Sequence, residues 1–106
     1  MGLELYWTEF AEDELHKIFN HYLKKAGYRI AKKLVNGIYD EPFKLKTDPE
    51  IGQIEQLLNG RSQKFRYLIY RKNYKIIYWI NNDENRIEII DVFDVQQNPP
   101  KIRRTK

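Results

Sequence analysis

Six basic residues and no acid fall between positions 61 and 80: Arg61, Lys64, Arg66, Arg71, Lys72 and Lys75. They sit among Phe65, Tyr67, Tyr70, Tyr74, Tyr78 and Trp79. Cations interleaved with aromatic rings suit a polyanion, because Lys and Arg neutralise phosphates while rings offer stacking surface to unpaired bases. The same pattern is what a strand pair with one solvated basic face shows, and the residues alone leave both readings open. Of the rings, Tyr70, Tyr74 and Trp79 have weaker claims to a core than Trp7, Phe10, Phe19, Tyr22, Tyr39, Phe65, Tyr78 and Phe93. Tyr74, beside Lys75, is the best placed to stack on a base.

Other chemistries find little support. With no Cys there is neither a disulfide framework nor a thiolate site, and a reducing compartment is expected. His16 and His21 lie five apart, about 140° around a helix axis, so they do not share a ligand face. No metal and no cofactor are expected. Gly52 and Gly60 lack P-loop spacing and its Lys-Ser/Thr. The opening MGLELYWTEFAEDEL carries acid where a signal peptide needs basic and apolar regions, which points to the cytosol. No apolar run approaches the roughly 18 residues of a membrane span, so no membrane partner is expected.

The 106 residues fit one domain, read as 1–98 followed by a basic tail at 99–106. Leu3, Leu5 and Trp7 alternate with Glu4 and Tyr6 as a short strand. Thr8 caps a helix whose apolar positions are Ala11, Leu15, Ile18, Tyr22 and Ala26, with Glu9, Glu12 and Asp13 complementing its dipole. Gly27 ends it. A second helix carries Ile30, Ala31, Leu34, Val35, Ile38 and Tyr39 opposite Arg29, Lys32 and Lys33, and Pro42 ends it near Asp40, with Phe43 and Leu45 packing inward. Asp48-Pro49 and Gly52 mark a turn. From residue 65 the apolar period is two, and turns at Lys72-Asn73 and Asn81–Asn85 divide three strands. The expected fold is α+β: an N-terminal strand, a two-helix hairpin and a three-stranded antiparallel meander, with the helices on one sheet face and the other face available. The segment 94–98 should lie beside the basic strands.

The stretches LYWTEFAEDELHKIFNHYLKKAG, LKTDPEIGQIE, FRYLIYRKNYKIIYWI and RIEIIDVFDVQQNP, in this order, resemble the RelE/ParE superfamily, the toxins of type II toxin–antitoxin pairs. The resemblance covers nearly the whole chain. It implies a small growth-arresting protein held inactive by a cognate antitoxin, whose acidic segment wraps the toxin. RelE-like members cleave mRNA in the ribosomal A site; ParE-like members inhibit DNA gyrase without being hydrolases. Cleavage by 2′-hydroxyl attack needs a proton acceptor, a stabiliser of the phosphorane and a donor to the leaving oxygen. The resemblance places Arg66 and Lys75 at positions where relatives carry basic residues, and these with Gln96 are the candidate catalytic residues. Arg61, Lys64, Arg71, Tyr74 and Lys101 are the candidate RNA contacts. Relatives commonly carry Arg where VFDVQQNP has Gln96, and glutamine brings no charge to a developing dianion. An endoribonuclease acting on mRNA is the first expectation, a gyrase inhibitor the second, and a non-toxic binding remnant the third.

Overall fold

Thr8 opens the helical hairpin as its sequence position demands: its Oγ1 accepts from the Ala11 amide at 3.2 Å and donates to the Ile89 carbonyl at 3.0 Å. One side chain thus caps a helix and ties it to a strand 81 residues away. The computed structural model describes residues 2–56 and 63–96. In chain order these form β1 (Glu4–Trp7), α1 (Glu9–Ala26), α2 (Tyr28–Asp40), a 3₁₀ helix (Glu41–Lys46), β2 (Gln53–Ile54), β3 (Phe65–Tyr70), β4 (Tyr74–Asn81) and β5 (Arg86–Asp94). Gly27, at φ 94°, separates the helices in a conformation that L side chains rarely adopt. Pro42 sits in the first turn of the 3₁₀ helix, where its missing N–H costs nothing, and is buried there. Leu45 packs inward as expected, whereas Phe43 is half exposed.

The sheet is larger than the expected meander. Its order is β1-β5-β4-β3-β2, five strands, with β1 lying parallel to β5 and the remaining pairs antiparallel. The meander of β3, β4 and β5 is therefore the centre of a mixed sheet. A helical hairpin between β1 and β5 supplies the long connection that a parallel pair needs. Glu55 extends the β2 edge by donating its amide to Phe65 at 2.9 Å.

The sheet carries apolar side chains on both faces. Leu68, Tyr74, Ile76, Tyr78, Ile87, Ile89 and Val92 pack with Ala11, Leu34 and Ile38 of the helices. Phe65, Ile77, Ile90 and Phe93 form a second buried cluster, flanked by Tyr67 and Trp79. Because alternate strand residues point to opposite faces, this second cluster occupies the face away from the helices. That face, expected to be available, is thus substantially closed. A one-residue bulge makes both clusters possible: Ile77 pairs with Asp91 and Tyr78 with Ile89, leaving Ile90 extra in β5. It resets the parity, so that Ile87, Ile89 and Val92 all face the helices although their spacing is not even.

Candidate functional site

Arg66 lies on β3 opposite Tyr78. Its Nη1 donates to the carbonyls of Glu50 at 3.1 Å and Gly52 at 2.9 Å, and its Nη2 stands 3.9 Å from the Glu50 carboxylate. Tyr78 holds the same segment, since its hydroxyl accepts from the Gly52 amide at 3.0 Å and donates to the Pro49 carbonyl at 2.7 Å. Burial, more than any other influence, pushes the Tyr78 phenol above its ordinary range. A Cβ on Gly52 would come within 2.5 Å of that hydroxyl. The Asp48-Pro49 turn is therefore fastened to the sheet by Arg66, Tyr78 and the absence of a side chain at position 52.

Lys75 leaves the sheet on the other face. It pairs with Ile69, in the set of Phe65, Tyr67, Ile77 and Trp79, whereas Arg66 belongs with Leu68, Tyr70, Tyr74, Ile76 and Tyr78. Its ammonium stands 2.6 Å from the carboxylate of Glu55, which is only 4% exposed, and 4.2 Å from the centre of the Tyr67 ring. Tyr67 is itself fixed by donating to Gln53 at 2.8 Å. Arg66 and Lys75 thus point to opposite sides of one sheet.

The other candidates disperse too. Tyr74 is buried on the helix side, with its hydroxyl donating to that of Tyr22 at 3.1 Å, and burial foremost, then this bond and Asp94, drives its pKa well above the usual phenol value. Such a ring has no face to offer a base. Gln96 is exposed just past β5, its amide donating to the Asp94 carboxylate at 2.8 Å. The Val95 amide reaches the Asn73 carbonyl at 2.7 Å, which sets this segment beside the β3–β4 turn as anticipated. Lys64 is exposed ahead of β3. Arg61 and Lys101 lie outside the described residues. Among the described residues no group of His, Asp and Glu is arranged to hold a metal, and no helix is long and apolar enough to cross a membrane.

What the fold does gather is a groove of about 730 Å³ between α2 and the β3–β4 hairpin. Arg29, Lys32 and Lys33 approach it from the helix and Arg71 from the hairpin, with Tyr28 and Tyr70 as its rings. Of these, only Arg71 is among the RNA contacts expected from the sequence. The three α2 cations stand at i, i+3 and i+4, a spacing that reads as a solvated helix face until a second element is packed beside it. A smaller cleft of about 190 Å³ opens between α1 and the ends of β4 and β5, at Glu14, His21, Tyr22, Tyr74 and Asp94.

The chain matches the family model described as ParE toxin of type II toxin–antitoxin system, parDE, over residues 5–99. Among solved structures it is similar to a chain of the chromosomal ParDE system from P. aeruginosa, at 22% identity and a TM-score of 0.72, covering 88% of this chain and 96% of that one. A chain of the RelBE2 toxin–antitoxin complex from Mycobacterium tuberculosis matches at 16% identity and TM-score 0.59, covering 89% and 92%. The isolated E. coli RelE toxin matches at 15% and 0.56, covering 96% and 94%. No curated protein matches the sequence.

Proposed function

Since the chain belongs to the ParE toxin family of type II toxin–antitoxin systems, we propose that it is a toxin that arrests growth by binding its target and not by cleaving RNA. DNA gyrase is the target class that the family resemblance implies, and a cognate antitoxin is the partner that holds the toxin inactive. The observation that carries this reading is the placement of Arg66 and Lys75. They extend from opposite sheet faces, so one scissile phosphate cannot touch both. Each is already engaged, Arg66 by two carbonyls and Lys75 by a carboxylate at 2.6 Å. Freeing Lys75 would break an ion pair whose carboxylate is only 4% exposed.

Among the described residues, the other candidates for 2′-hydroxyl attack lend cleavage little support. Tyr74 is protonated and enclosed, Gln96 brings no charge to a dianion, and His16 and His21 lie on α1. The antitoxin has support in the family and in the ParDE and RelBE2 systems, whose toxin chains share this fold. The test is to add purified protein to a translating cell-free extract and map the 5′ ends of a reporter mRNA. Intact message at growth-arresting doses is expected. New ends in register with codons would overturn the reading in favour of an A-site endonuclease.

A further inference from the structure

The cations of this molecule fall into two groups. Lys17, Lys44, Arg66, Lys75 and Arg86 are held in ion pairs. Among the described residues Lys24, Lys25, Arg29, Lys32, Lys33, Lys46, Lys64, Arg71 and Lys72 enter none, and four of them, Arg29, Lys32, Lys33 and Arg71, line one groove whose single acid is Asp40. We propose that the groove between α2 and the β3–β4 hairpin binds the phosphodiester backbone of a nucleic acid.

Two features of the groove point to this ligand. Lys32 and Lys33 lie about 4.5 and 6 Å beyond Arg29 along the helix axis, within one or two steps of about 3.4 Å per nucleotide along a strand. The rings lie with the cations: Tyr28 is 59% exposed with the Lys32 ammonium 5.5 Å from its centre, and the Arg71 guanidinium lies 5.3 Å from the centre of Tyr70. Ring and cation together form the surface on which sugar, base and phosphate all find a contact. An acidic protein segment would have to anchor on Tyr28, Tyr70 and the aliphatic stems of the cations, and comparison with polyglutamate separates it from a nucleic acid.

The backbone around the groove departs from local preference in ways that serve it. A Cβ at position 37 would meet the Tyr70 hydroxyl at 1.9 Å, so a glycine, unfavourable inside a helix, lets Tyr70 lie across α2 as the groove floor. At the hairpin tip Arg71 and Lys72 both take left-handed backbone, φ 52° and 65°, where Asn-Gly is the comfortable pair. Two cations therefore occupy positions that cost stability, and one of them, Arg71, holds its charge at the groove.

The site goes beyond the proposed function, since it requires neither gyrase nor antitoxin. Fluorescence anisotropy of the full chain with a short labelled duplex, the matching single strand and a polyglutamate peptide tests it directly, with duplex and single strand distinguishing the two sources of the backbone. Binding of at least one nucleic acid, weakening on a log–log salt plot with a slope near −3 to −4, is expected for about four phosphate contacts. The Lys32→Ala/Arg71→Ala double variant should lose about tenfold or more in affinity and flatten the slope by one to two units, while Lys24→Ala/Lys25→Ala on α1 should leave both unchanged. Replacing Arg71-Lys72 by Asn-Gly should raise the melting temperature and weaken binding together. No nucleic-acid binding, unchanged binding by a folded Lys32→Ala/Arg71→Ala variant, or tighter binding of polyglutamate than of either nucleic acid would overturn the proposal.

Discussion

Arg66 illustrates how a residue type that could contact phosphate is used instead to fix a loop. Its planar fork spans two carbonyls, Glu50 and Gly52, which a lysine reaches as a point charge. Arg66→Ala should therefore lower stability by about 2 kcal/mol or more, from hydrogen bonds made by a charged donor, and Arg66→Lys should restore only part of it in chemical denaturation. Lys75→Met should cost about 3 kcal/mol by breaking the ion pair with buried Glu55, and adding Glu55→Gln should recover much of the loss. Tyr74 gives a pH signature. Its folded pKa lies above the value of 10.0 for an exposed phenol, so its contribution is complete below pH 10 and is lost as pH rises from there toward the folded pKa. Tyr74→Phe should flatten that alkaline decline, read as melting temperature against pH.

At the scale of elements, the β3–β4 hairpin and α2 matter most. Substituting Asn-Gly for Arg71-Lys72 should stabilise the chain by about 1–2 kcal/mol, since bulky side chains in left-handed backbone carry a penalty of that order. Gly37→Ala should do the reverse of what helix propensity alone predicts, lowering the melting temperature because the added methyl meets Tyr70. The helical hairpin was legible because its signals are local: the Thr8 cap, the 3.6-residue stripe, Gly27 and Pro42 each act within a turn or two. β1, β3, β4 and β5 were legible for the same reason, whereas the two-residue β2, where only a turn was expected, was not. Lateral order was not, because the parallel β1–β5 pairing joins residues more than 80 apart and no local pattern encodes it. The bulge at Ile90 hid in the same way. In RIEIIDVFD the extra Ile90 only sets two isoleucines side by side until the partner strand shows which side chain is out of phase.

The whole molecule explains why the candidate catalytic set came apart. Arg66 and Lys75 are nine residues apart in sequence, and the hairpin between them brings their strands together while sending the two side chains to opposite faces. A run of cations along a hairpin is therefore not one surface. The groove beside α2 escaped notice for the converse reason, as its cations come from positions 29–33 and 71 and meet only through tertiary packing. Among the described residues, Arg66 and Lys75 are engaged within the fold, whereas Arg29, Lys32, Lys33 and Arg71 gather unpaired beside α2. The most direct measurement is gyrase supercoiling of relaxed plasmid under titration with the purified chain. Loss of supercoiling as the chain is added, with reporter mRNA left whole in the same preparation, is the predicted result. Full supercoiling at excess protein, alongside codon-phased breaks in the mRNA, would contradict the account.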